Sequence, residues 1–442
     1  MKHLEFKQLK DITTSALALA KKNGATQADI HASIDNGFIV TVRLGELDTV
    51  EHHHNKAIGL TVYFGKRKGS VTTSDTSKNA IHEAVNAACN IAKFTEEDPY
   101  SGLANPELMA KNITDLDLYH EWDMTPQKAI ELALNCETYA NSLDKRIKNS
   151  EGISISSHKD FSVYANSHGF LGMVPSTQHC VNYVLIAEEN GQMERDSDYT
   201  AACDAKDLEN FNCVAEKAVK STILRLGSQK LVTQKAPVIF IPEVAKGLLA
   251  TFIAAITGNQ LYRKASFLLN HLGKPVFSKH VRIHEDPFVL KALGSAAFDS
   301  EGVATYKKDF IKDGILESYV LGSYAARKLK MKTTANADGI HNLFIENSEM
   351  DLTALLKKMD KGLLVTELIG QGINIVTGDY SRGAVGFWVE NGKIQYPVSE
   401  ITIAGNLRDM FLNLAAVGND VDRRGNIKTG SILLEEMMIG GS

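Results

Sequence analysis

The chain has 442 residues, 44% of them hydrophobic and 23% charged, which is the balance of a folded protein with more than one core rather than a disordered one. Its formal charge of -5, with no Lys/Arg run, excludes binding driven by neutralisation of nucleic-acid phosphates. The early charges at Lys2, Glu5 and Lys7 break any secretory h-region, and no apolar run approaches the ~20 residues of a membrane span. Five cysteines at irregular spacing, without a C-x-x-C, point to reduced thiols and a cytoplasmic setting.

In chain order, Phe6 to Lys22 carries Leu9, Ile12, Leu17 and Leu19 and stops at Gly24, the pattern of an amphipathic helix. Asp35-Asn36-Gly37, before the alternating Phe38, Val40 and Val42, predicts a hairpin turn. A strand follows at Ile58 to Phe64. Ser77 caps a helix running to about Phe94, and Thr125-Pro126 opens another. Strands dominate from Ile153 to Glu188, with a turn at Asn190-Gly191, and a helix spans about Leu208 to Leu226. The polar stretch from Gln229 to Lys235 places a domain boundary, giving domains 1–228 and 229–442.

The second half opens on the apolar strand Val238-Ile239-Phe240-Ile241. Pro242 and Glu243 then suit a helix start, with Val244, Leu248, Phe252 and Ile256 on one face. Asp313-Gly314 and Asn391-Gly392 signal hairpins, and the glycines from Gly362 to Gly392 suit bulges in a curved sheet. The predicted class is α+β: a mixed N-terminal α/β domain, then a mainly antiparallel β-rich domain.

Several motifs invite chemistry. Glu51-His52-His53-His54 on a strand puts His52 and His54 on one face and His53 on the other. Three adjacent imidazoles suit one tetrahedral ion poorly, so a solvated strand edge is the expectation. His284-Glu285-Asp286-Pro287 and His82-Glu83 each lack the second histidine of a zincin helix; the first reads as a loop and the second as an exposed helix face. Gly370-Gln371-Gly372 lacks the rest of a dinucleotide fingerprint and reads as a turn. Asp379-Tyr380-Ser381-Arg382 reads as a hairpin connection, or as a loop lining a peptide groove in which Tyr380 and Arg382 hold carbonyls or a carboxylate. Arg263 and Lys264 read as a solvated helix end or as groups facing substrate or partner.

Longer strings carry a resemblance. Gly258 to Leu269, Phe298-Asp299-Ser300-Glu301-Gly302-Val303, Thr366 to Gly372, Thr377 to Ala384, Gly386 to Gly392, Ser399 to Leu407 and Val417-Gly418-Asn419-Asp420 resemble the TldE/PmbA branch of the TldD/PmbA metallopeptidase family. Ala57 to Tyr63 and Arg67 to Ser70 fit the same pattern. The resemblance implies a cytoplasmic zinc peptidase built from two related chains that acts on unfolded peptides, in antibiotic-precursor maturation and antitoxin degradation. In the TldD branch a His-Glu-x-x-x-His helix and a later cysteine hold the zinc. Here that motif falls on Pro242 to Gly247: Glu243 remains, Pro242 and Gly247 stand for the histidines, and no cysteine follows Cys213. Proline and glycine offer no side-chain donor.

The expectation is therefore a chain with no catalytic or metal-ligating residue and no cofactor of its own, paired with a TldD-like subunit that carries the zinc. Glu243, Arg263, Lys264, Asp379, Tyr380 and Arg382 remain as peptide-groove or partner candidates. An autonomous homodimeric peptidase and a non-enzymatic modulator of DNA gyrase are the alternatives. No membrane and no direct nucleic-acid contact are expected.

Overall fold

The computed structural model describes residues 2–441. The first half builds one six-stranded antiparallel sheet from β1 (Gln27–Arg43), β2 (Glu46–Phe64), β3 (Arg67–Thr73), β4 (Ile147–Asn166), β5 (Leu171–Glu189) and β6 (Gln192–Ala202), in the order β3-β2-β1-β4-β5-β6. Four helices cover it: α1 (Lys2–Lys22), α2 (Lys78–Phe94), α3 (Pro126–Leu143) and α4 (Phe211–Leu224). The strands are long enough to carry two helix pairs end to end. Alternate residues Ala28, Ile30, Ala32 and Ile34 of β1 pack under α1 and α2, and Phe38, Val40 and Val42 pack under α3 and α4. All belong to one alternation, so all four helices lie on one face and the other stays polar, with His31, Ser33, Asp35 and Gly37 along β1.

The caps read in the sequence are formed: Ser77 Oγ accepts from Ala80 N–H, and Thr125 Oγ1 accepts from Lys128 N–H with Pro126 at the first turn. The turn expected at Asp35-Asn36-Gly37 is not. β1 runs straight through it, and the chain reverses at Leu44-Gly45 (φ 55° and 78°). Gly37 serves clearance instead of turning: a Cβ there would lie 2.6 Å from Ser157 O and 2.7 Å from the His53 ring on the flanking strands. Asn190-Gly191, Asp313-Gly314 and Asn391-Gly392 do turn, each with both residues at positive φ.

The second half begins with β7 (Gln234–Phe240), α5 (Pro242–Ala255) and α6 (Gly258–Tyr262). Then come β8 (Ile283–Glu285), β9 (Lys308–Lys312), β10 (Ile315–Leu316), α7 (Ser323–Lys328), β11 (Leu343–Ile345) and α8 (Leu352–Met359). Strands β12 (Gly362–Ile369), β13 (Asp379–Glu390) and β14 (Lys393–Asn406), helix α9 (Leu407–Leu412), and strands β15 (Leu414–Val417), β16 (Ile427–Lys428) and β17 (Ile432–Gly440) complete it. The larger sheet has the order β14-β13-β12-β7-β17-β15, and β14 also pairs with β17, so the strands from β7 to β17 close into a ring. Closure leaves few edges unpaired and encloses a core that includes Val238, Phe240, Val365, Trp388 and Ile403. Bulges at Val365/Glu367 and Ala384/Gly386 supply the bend. A smaller sheet, β10-β9-β8-β11-β16, packs beside it.

Two loop expectations fail here. Asp379 to Arg382 opens β13 rather than connecting a hairpin, because Tyr380 is an inward residue of the closed sheet, 2% exposed. His284 and Glu285 lie on β8, and Glu285 is fully buried. The five cysteines are free. No helix among the described residues is long and apolar enough to cross a membrane.

Candidate functional site

Strand β7 ends at Phe240 and Pro242 starts α5, so Glu243 stands in the first helical turn, where its negative charge meets the helix N-terminus. The segment between β15 and β16 folds back over that turn. Its Arg424 donates from Nη2 to Glu243 Oε1 (2.5 Å) and to Asp422 Oδ2 (3.1 Å), and from Nε to Asp422 Oδ1 (2.9 Å). Nη1 donates to Tyr199 O (2.7 Å) and to the Asp198 carboxylate on β6, and the guanidinium lies 4.3 Å from the Tyr199 ring centroid. One turn along α5, Lys246 Nζ also donates to Asp422 Oδ2. Burial alone would raise the Asp422 carboxyl, but Arg424 and Lys246 hold it down at about 2.

A third cation stands nearby. Lys428 is 5% exposed and donates to Asn342 Oδ1 (2.8 Å) and Gly425 O (2.9 Å). Burial, with Lys246 and Arg423 close by, pushes its ammonium down to about 8. A second arginine lattice lies alongside: Arg225 bridges Asp196 (3.4 Å) on β6 and Glu367 on the bulged β12. Arg225, Asp196 and Glu367 line a cleft of about 480 Å3 between the first sheet and the ring, shared by Arg195, Tyr199, Glu243, Thr366 and Arg424.

The donor set at α5 does not suit a zinc ion. Pro242 and Gly247 have no side-chain donor for a metal, and the Glu243 and Asp422 carboxylates are engaged by Arg424 and, at Asp422, also by Lys246. Among the described residues no group of three His, Cys, Asp or Glu donors converges at Glu243; the one that converges anywhere is on the first sheet. Lys246, Arg424 and Lys428 supply the positive charge that a divalent ion would bring and would oppose its entry.

The other sequence candidates do not join this site. Arg263 closes α6, is exposed, and lies 5.9 Å from the Tyr262 ring centroid; Lys264 is exposed at φ 59°. Asp379 is tied into its own turn, accepting from Thr377 Oγ1 (2.6 Å) and Asn406 Nδ2 (3.2 Å). Tyr380 faces the ring core, where burial pushes its phenol up to about 12 despite neighbouring Arg382. Arg382 is half-buried and donates weakly to Leu368 O (3.4 Å).

Sequence reasoning missed Arg424, Asp422 and Lys246. The signal available was the dense charge run Asp420-Val421-Asp422-Arg423-Arg424, in a segment otherwise poor in charge. It also missed a buried charge cluster behind the small sheet. There Glu285 accepts from Lys308 Nζ (2.6 Å), Asn336 Nδ2 (3.0 Å) and His341 N–H (2.6 Å).

The chain belongs to the PmbA/TldD metallopeptidase family. Models of PmbA/TldA metallopeptidase domain 1, central domain and C-terminal domain match residues 28–92, 119–226 and 233–441. Within the family it falls with the PmbA branch. It is 49% identical to metalloprotease PmbA of Escherichia coli O157:H7 over 98% of this chain and 96% of that one. A crystal structure from Bacteroides thetaiotaomicron, carried under the label of DNA gyrase modulator, superposes with a TM-score of 0.93 at 28% identity, covering 98% of this chain and 99% of that one. TldE of Thermococcus kodakarensis shares the fold, with a TM-score of 0.87 at 20% identity over 97% and 100% of the two chains.

Proposed function

We propose that this chain is the non-catalytic, PmbA/TldE-type subunit of a two-chain zinc peptidase that cuts unfolded peptides, the zinc being held by a TldD-like partner. One observation carries the reading: the helix that begins at Pro242 brings Glu243 to the Arg424 guanidinium, with no side-chain metal donor at Pro242 or Gly247. Glu243 Oε1 accepts from that guanidinium at 2.5 Å. The cleft beside it, walled by Arg225, Tyr199 and Arg424, can hold an extended peptide by its carbonyls or carboxylate. Peptide-antibiotic precursors and antitoxins are substrates of that unfolded kind.

The experiment is cleavage of an unfolded peptide in the presence of zinc, by the chain alone, by a TldD-like chain alone, and by the two together. The reading expects cleavage by the pair and none by this chain alone. The E. coli relative's name, a metalloprotease, favours the second reading of an autonomous homodimeric peptidase. Turnover by the isolated chain that is lost in Glu243→Gln would establish that second reading and end the first. The acidic balance gives the gyrase-modulator reading no electrostatic route to DNA.

A further inference from the structure

The open face of the first sheet holds a cluster that neither the fold nor the Glu243 site uses. Across β2, β1 and β4, His53, Gly37 and His158 stand directly opposite one another. Gly37 has no side chain, so the two imidazoles meet over it, with ring centroids 4.6 Å apart. Asp35 lies two residues back on β1 and therefore on the same face. Its Oδ2 is 3.3 Å from His53 Nε2 and its Oδ1 is 4.0 Å from His158 Nδ1. One donor atom from each of the three residues lies within 4.8 Å of the others.

Two features mark this as a seat for a cation. His53 Nε2 is shielded from solvent and makes no hydrogen bond. Asp160 sits directly opposite Asp35 in the β1–β4 pairing, a like-charge cross-strand pair that is ordinarily destabilising. Neither carboxylate has a Lys or Arg ion-pair partner among the described residues; Asp160 accepts from Ser162 Oγ (2.6 Å).

We propose that Asp35, His53 and His158 form a binding site for a divalent transition metal of the zinc class, separate from the position of α5. Two imidazoles and a carboxylate are a borderline N/O donor set, and bonds of about 2.0–2.2 Å put such donors about 3.3 Å apart around a tetrahedral ion. The sheet register fixes the three backbones, so side-chain rotation must close the remaining distance. Asp35 and His158 also line a cleft of about 460 Å3 with Ser156, Asp160, Ser176 and Cys180, through which water or a ligand group would reach a bound ion. The histidine run contributes one ligand: His52 and His54 point to the other face, where His54 meets Asn36.

The test is a zinc titration of the tag-free, chelator-stripped chain by calorimetry, with cobalt(II) absorption reporting geometry. One zinc per chain is expected. His53→Ala and His158→Ala should each weaken it by at least about 100-fold, and Asp35→Asn, which keeps the side-chain shape, should weaken it and shift the cobalt bands. His52→Ala and Glu243→Gln should bind like the parent. No stoichiometric uptake at micromolar zinc, or unchanged uptake by the His53→Ala/His158→Ala double variant, would overturn the proposal. None of these outcomes depends on peptidase activity, so the site stands or falls apart from the subunit reading.

Discussion

Replacing Arg424 with methionine keeps most of its length and removes its charge. The structure sets the cost. Asp422, whose side chain is 4% exposed, would keep only Lys246, while Asp198 and Glu243 would lose their ion pair altogether. Taking one partner from a buried charge pair costs about 3–5 kcal/mol, because the charge left behind is neither hydrated nor paired. With an unfolding entropy of about 2.1 cal/mol/K per residue, spread over a C-terminal half of some 210 residues, that is a drop of roughly 7–11 °C in its melting temperature. Differential scanning calorimetry of Arg424→Met measures this. Adding Glu243→Gln should recover part of the loss, since it removes one of the stranded charges, and the double-mutant cycle isolates that coupling. A shift below about 1 °C for Arg424→Met would refute the idea that this guanidinium has taken over the charge balance of the α5 site.

Three further outcomes follow from the same physics. Lys308→Met should cost about 3–5 kcal/mol in urea denaturation, because Glu285 is fully buried and loses its one Lys or Arg partner among the described residues. Asp29 is pushed up to about 7, first by burial and then by Glu301, against the opposing pull of Lys68. Between pH 4 and 7 the unfolded chain has released this proton and the folded chain has not, so stability falls as pH rises through that window. Asp29→Asn should therefore melt higher than the parent at pH 8 and converge with it toward pH 4; a pH-independent difference would contradict the assignment. Arg327 on α7 donates to the carbonyls of Tyr100, Gly102 and Leu103, and Tyr324 donates to Asp98. Arg327→Ala should loosen the 98–103 loop, seen as faster amide exchange there than in the core of β1.

What could be read from the sequence was local chemistry. Ser77 and Thr125-Pro126 cap helices because their hydroxyls reach amides within the same turn. Asn190-Gly191, Asp313-Gly314 and Asn391-Gly392 turn because both residues tolerate positive φ. The same signal misled at Asn36-Gly37. Only the neighbouring strands show that this glycine is needed for clearance beneath His53 and Ser157, and Ser157 lies on β4, far off in sequence. Tyr380 and Arg382 read as loop residues because glycines flank them, yet both lie on β13 of the closed sheet. That Pro242 and Gly247 carry no side-chain donor was legible; the contact of Glu243 with Arg424, 181 residues further on, was not. His53 shows the limit most plainly, since its partners Asp35 and His158 are assembled by register rather than by spacing.

The most direct measurement is zinc-edge anomalous scattering from crystals of the isolated chain grown with zinc. The account predicts no peak at Glu243, where Arg424 and Lys246 stay in place, and a peak between Asp35, His53 and His158. A full-occupancy peak bonded to Glu243, with Arg424 swung away, would contradict it.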